Sequence, residues 1–247
     1  MLIYLAGETA ELAEMPEGVL PACVDYRFDR PFRGELPPRS GGAMLVGGDL
    51  LRSSAGEVAA ECRRRELTAV AAGFGRVSPL EALRFCDGLL RRGLTPILTE
   101  NAWQSGCGGE MLISTAISGG DLRARILEAL RRCPFLCLDA ERICRSFPLP
   151  CPDGEGEPLG RRALEGLLRR GASPQFSPEL MCKAFTAEIG GETRMVLFDD
   201  RETLVKKAAL AAELGVGRFF LLYPEWSAAD AAAAEEAARE KSPIIRG

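Results

Sequence analysis

Eight short apolar runs, most followed by a stretch with the period of an amphipathic helix, limit this chain more than any other feature of its sequence. The runs are Leu2–Ala6, Ala22–Phe28, Ala43–Gly48, Thr68–Phe74, Pro96–Asn101, Met111–Ile117, Phe135–Glu141 and Phe219–Tyr223. Runs of strand length alternating with helices predict parallel strands joined by crossovers, because only a crossover brings the chain back to start a parallel neighbour. Helices are predicted over Ala55–Glu66, Ser78–Arg92, Leu122–Arg132, Leu159–Arg170, Glu202–Leu214 and Ala228–Lys241. Ser78-Pro79 and Asp121 are start signals, and Gly93 and Gly215 are stops. Eight strands in 247 residues match an α/β chain folded as one (β/α)8 TIM barrel, which takes about 250 residues.

Two regions depart from the repeat. Ser146–Glu157, with three prolines and the run Asp153-Gly-Glu-Gly-Glu, reads as a surface loop. Residues 182–198 read as a β-hairpin turning at Gly190-Gly191, inserted before the last helix and strand. Leu12–Pro21 and Arg30–Gly42 read as irregular connections, and residues 1–247 as a single domain.

Composition excludes several kinds of chemistry. The chain has no histidine, which removes Ser-His-Asp and Cys-His catalysis and histidine metal sites. Acid-base work must come from carboxylates, Lys, Tyr or Cys. Nine cysteines lie mostly inside apolar runs with no C-x2-C knuckle, so they are expected as reduced, buried thiols in a cytoplasmic protein, with neither metal nor cofactor. A net charge of −4 with interleaved signs gives no basic stripe for nucleic acid. The apolar N-terminus is six residues long, too short to span a membrane. The charged runs Glu61–Glu66 and Ala231–Lys241 are read as solvated faces or contacts with a partner subunit, which leaves a homo-oligomer open.

In a parallel barrel the functional side chains stand at the C-terminal ends of strands and on the loops that follow. That rule selects Asp25 and Tyr26, Asp49, Glu100 with Asn101 and Trp103, Ser118, Asp139 with Glu141 and Arg142, and Tyr223 with Glu225 and Trp226. Asp139 and Glu141 share one face of their strand and are candidates for an acid and base that shift each other's pKa; a structural ion pair of Glu141 with Arg142 or another rim arginine is the alternative. Trp103 and Trp226 are candidates to stack on a sugar or, equally, to cover the core. Ser118-Gly-Gly-Asp121 reads as a helix cap before it reads as an anion site.

Three segments together resemble the family 18 glycoside hydrolases, the group of chitinases and peptidoglycan glucosaminidases. Met44-Leu-Val-Gly-Gly48 is similar to the family's third-strand Ser-x-Gly-Gly segment. Val196-Leu-Phe-Asp-Asp200, Leu204-Val-Lys-Lys207 and Phe219-Phe-Leu-Leu-Tyr-Pro-Glu-Trp226 resemble its last helix and strand, where a tryptophan floors the sugar site. The family's fourth strand carries D-x-x-D-x-D-x-E, whose glutamate protonates the glycosidic oxygen. By strand order the equivalent here is Thr68–Gly75, which puts Ala71, Gly73 and Gly75 at the acidic positions. A competing alignment places the D-x-E ending on Asp139-Ala-Glu141. The resemblance therefore implies a barrel that has lost the catalytic acid and binds a saccharide or related polar ligand at its mouth. The alternatives are a glycoside hydrolase with a relocated acid at Glu141 or Glu100, and a scaffold with a vestigial site.

Overall fold

The computed structural model describes residues 1–7, 15–25, 41–46, 55–73, 78–151, 154 and 156–241, with the side chains of Val24 and Asp25 left aside. Tyr26 and Asp49 lie outside the described residues, as do residues 12–14 and 30–40 of the two irregular connections. The chain runs β1 (Leu2–Gly7), β2 (Val19–Asp25), β3 (Ala43–Val46), α1 (Ala55–Arg64), β4 (Ala69–Ala72), α2 (Pro79–Leu90), β5 (Thr95–Thr99), β6 (Glu110–Ser114), α3 (Leu122–Arg132) and β7 (Leu136–Asp139). An insertion follows: β8 (Cys144–Pro148), β9 (Glu157–Pro158), α4 (Arg161–Arg169), β10 (Gln175–Ser177), β11 (Cys182–Ile189) and β12 (Glu192–Phe198). Helix α5 (Arg201–Glu213), β13 (Arg218–Leu222) and α6 (Ala228–Lys241) complete it.

The eight expected strands are all present and close into one parallel barrel, in the order β1-β13-β7-β6-β5-β4-β3-β2. Closure is made by β1 and β13, paired from Leu2↔Arg218 to Ala6↔Leu222. This order makes β4 the fourth barrel strand and β7 the seventh. The alignment that put Asp139 and Glu141 on the fourth strand is thereby overturned. Strand β2 starts at Val19, three residues before the expected Ala22, because Pro21 at its head reads as a loop residue.

Alternation along the strands sends one set of side chains inward. Tyr4, Ala6, Ala22, Ala43, Ala69, Ala71, Ile97, Leu112, Cys137 and Phe220 form the barrel interior. Alanines on β1 to β4 make room for the Tyr4 and Phe220 rings, which stack with centroids 4.7 Å apart. Below them, Arg218 donates to Glu110 at 2.7 Å and to the Tyr4 hydroxyl at 2.5 Å, and Cys137 Sγ donates to Glu110 at 2.9 Å. Burial, then the Glu110 charge, pushes the Cys137 thiol well up, so it remains a protonated donor. This network plugs the N-terminal end and leaves the opposite end as the mouth. The apolar faces of the outer helices bury against the barrel's outside in two clusters. Caps set where they start: Ser78 and Glu81 form a reciprocal box on α2, and Asp121 accepts the Ala124 N–H at 2.7 Å on α3.

The insertion is larger than the expected hairpin. Strands β11 and β12 pair from Lys183↔Phe198 to Ile189↔Glu192, but they are the centre of a five-stranded sheet, β10-β11-β12-β8-β9, that begins at Cys144. Part of the expected surface loop is strand β8. Its prolines sit at and beyond the strand's end, where Pro148 opposes Arg194, so the loop signal was genuine but started too early.

A buried ion pair ties this insertion to the barrel. Asp199 follows β12 at 0% exposure, and its carboxylate accepts Lys207 Nζ at 2.7 Å, the Ile143 N–H at 3.1 Å and the Thr203 hydroxyl at 2.9 Å. Lys207 belongs to α5 and is 1% exposed. Removing one member strands the other charge in the core, so Lys207→Met is expected to cost about 3–5 kcal/mol in urea unfolding. Lys207→Met with Asp199→Leu should recover at least half of that loss; no recovery in the double variant would mean the pair is not what holds the junction.

Candidate functional site at the barrel mouth

The end of β7 places the most unusual group at the mouth. Asp139 closes the strand, opposite Ser114 on β6 and Phe220 on β13, on the face that Cys137 directs inward. Burial, reinforced by the negative charges of Glu141 and Glu225, raises its pKa from 3.8 to about 7, although the Glu141 N–H works against the shift. Glu141 is exposed and accepts the Ser114 hydroxyl at 2.8 Å. Among the described residues none of Asp139, Glu141 and Glu225 makes a salt bridge. The expected alternative, a Glu141–Arg142 pair, does not form: Arg142 donates to the backbone carbonyls of Asp199 at 3.1 Å and Glu225 at 3.2 Å and lies 5.1 Å from the Trp226 ring. A carboxyl that changes protonation near neutral pH beside an exposed carboxylate can give and take a proton or grip a polar ligand.

Strand β4 brings the opposite chemistry. Ala69 and Ala71 face the interior, and the strand ends at Ala72. Gly73 then takes φ +92°, a backbone conformation suited to glycine, and a Cβ there would stand 2.6 Å from Ala102 Cβ and 3.1 Å from Thr99 Oγ1. Thr99 Oγ1 donates to the Gly73 carbonyl at 2.5 Å, sealing this wall. Gly75 lies outside the described residues.

Other expected site residues fall elsewhere. Glu100 is paired to Arg125 at 3.0 Å and Arg132 at 2.6 Å, both on α3, which draws it toward the helix layer and away from the mouth. Its position at a strand end suggested the mouth; the turn after β5 sends the side chain outward. Asn101 is exposed in that turn. Trp103 packs against both outer clusters and donates to the Gly109 carbonyl at 3.2 Å. Trp226 is 2% exposed and donates to the Ala140 carbonyl at 2.6 Å, so it has no free face for a sugar and covers the core instead. Tyr223 is exposed at the end of β13, with its N–H on the Ala6 carbonyl at 2.7 Å. Glu225 accepts the Arg142 N–H at 3.2 Å. Asp25 ends β2 opposite Val46. Ser118 is exposed and Asp121 caps α3 as expected. Ser114, which positions Glu141, was missed; its signal was the period-two face it shares with Glu110 and Leu112.

The raised pKa of Asp139 has a signed consequence for stability. Between the ordinary aspartate value of about 3.9 and about 7 the folded chain holds the proton that the unfolded chain releases. Its contribution is intact below pH 4 and is lost as the pH climbs to 7. Asp139→Asn is therefore expected to flatten the fall of the urea midpoint between pH 4 and 7; an unaltered slope would place the titration elsewhere.

No protein-family model matches the sequence, and no curated protein matches it. Solved structures do match by shape. The chitinase of Chromobacterium violaceum superimposes with a TM-score of 0.57 at 13% identity, over 89% of this chain and 79% of that one. The Bacillus cereus spore cortex-lytic enzyme SleL gives 0.60 at 12% identity, over 92% and 68%. A Cycas revoluta GH18 chitinase in complex with (GlcNAc)4 gives 0.52 at 14%, over 83% and 82%. At such identities the likeness is one of fold: the chain is a (β/α)8 barrel like those of the family 18 chitinases and the cortex-lytic enzymes.

Proposed function

We propose that this protein is a family-18-like barrel that binds a saccharide at its C-terminal mouth and has lost the family's hydrolytic acid. The observation that carries the reading is the fourth strand. Its inward positions are Ala69 and Ala71, Gly73 is pressed against Ala102, and the sequence puts glycine at position 75, where the resemblance calls for the acid. None of these can hold a proton for a leaving group. The mouth keeps polar groups for a ligand in Asp139, Glu141, Ser114 and Tyr223, and the Cycas protein of the same fold is seen with (GlcNAc)4. Seven of the nine cysteines are buried, which suits a reducing, cytoplasmic setting. Among the described residues no helix is long and apolar enough to cross a membrane.

A second reading is favoured by the Asp139 pKa of about 7: a hydrolase in which the Asp139–Glu141 pair supplies the proton from the seventh strand. Calorimetric titration with the N-acetylglucosamine tetramer and with muropeptide fragments, followed by an assay for new reducing ends, separates the two. The binding reading expects saturable heat with at least one of these sugars, about 5–10-fold weaker for Glu141→Gln, and no cleavage. Cleavage abolished by Asp139→Asn or Glu141→Gln would establish the hydrolase, and no heat from either sugar would defeat the saccharide reading.

The fourth strand also predicts that a carboxylate cannot simply be restored at position 73, the motif's aspartate position two residues before the acid. Gly73→Asp combines a left-handed backbone with a contact that must shift, and is expected to destabilise by roughly 2–4 kcal/mol in urea unfolding. A Gly73→Asp chain as stable as the parent would show that this wall is not closed.

A further inference from the structure

The insertion carries a groove that lies outside the barrel and its mouth. Helix α4 buries Leu164 and Leu167 against Phe185, Val196 and Phe198 of the sheet. Ala163 and Gly166 on its flank, with Leu159 just before the helix, face the β11–β12 turn at Ile189 and Gly190 across a groove of about 550 Å³. The walls are apolar, while Arg169 and Arg170 stand on the α4 rim and Glu188 on the other.

Two features of this groove have no use among the described residues. Gly166 sits in the body of α4, where glycine costs about 1 kcal/mol relative to alanine. Among the described residues a Cβ built there meets nothing within 4 Å, so none of them requires a glycine at this position. The rim is also unbalanced. At the start of α4 Arg161 pairs with Glu165 at 3.0 Å, but among the described residues Arg169 and Arg170 are exposed and have no acidic partner. In a chain of net charge −4 these are two adjacent cations beside an apolar floor. Glu188 keeps its negative charge while it accepts the Thr193 hydroxyl, so of the two rims it is the α4 side that attracts an anion.

We infer that this groove docks an acidic segment of another protein. A bulky apolar side chain of the partner enters over Gly166, between Ala163 and Ile189, and flanking carboxylates meet Arg169 and Arg170. The apolar anchor supplies affinity, and the arginines set orientation and select against basic partners.

Selection of a random phage-displayed dodecapeptide library on the whole folded chain tests this. The expected winners carry an aromatic residue or leucine flanked by Asp or Glu. Synthetic copies should bind about ten-fold more weakly to Gly166→Leu, which fills the groove, and to Arg169→Glu with Arg170→Glu. Gly166→Ala is the folding control, expected to raise Tm by about 2–4 °C because it removes the helix cost. Failure to enrich any peptide, enrichment of peptides lacking acids, or binding that both variants leave unchanged would overturn the inference. So would self-association of the parent chain that Gly166→Leu abolishes, since the groove would then belong to a second copy.

Discussion

Parallel strands leave two unpaired edges unless the first finds the last, and here β1 meets β13 over five residue pairs. That closure is conditional on what fills the barrel. A barrel of eight strands encloses just enough space for side chains, so bulk on one wall must be matched by small residues on another. Tyr4 and Phe220 sit side by side at the seam, stacked at 4.7 Å, and the alanines of β2, β3 and β4 yield to them. Arg218 finishes the same seam from below by reaching Glu110 and the Tyr4 hydroxyl. Register, interior packing and the sealed lower end are thus one constraint, and together they determine which strand ends open into the mouth.

The mouth inherits an asymmetry from this packing. The alanine side of the barrel includes β4, whose end is closed by Gly73, Thr99 and Ala102. On β7, beside the Phe220 strand, Cys137 faces the interior and Asp139 tops it. The carboxyl with the raised pKa thus stands at the end of the seventh strand, while the inward positions of the fourth are alanines. The insertion leaves the barrel just beyond this point, and the buried Asp199–Lys207 pair with Arg142 clamps its return beside Glu225 and Trp226.

Much of this architecture was legible in the sequence because a barrel writes its strands as separate apolar runs and its helices as periodic ones. Leu122–Arg132 agrees to the residue, since Asp121 caps it, and the last helix starts at Ala228 as expected. Legibility failed where tertiary contacts decide. Pro21 and Pro148 both belong to strands that the prolines disguised. Glu100 and Trp226 were placed by their position after a strand, but two arginines on α3 claim the first and the Ala140 carbonyl claims the second. Sequence spacing fixes which face a residue shares; it does not say which neighbour from another element will reach it first.

A crystal of the chain soaked with the N-acetylglucosamine tetramer tests the central claim most directly. The account predicts an intact oligosaccharide across the strand ends, in contact with Glu141 or Asp139 and clear of Trp226. Density for cleaved sugar, or sugar bound only away from β7 and β13, would contradict it.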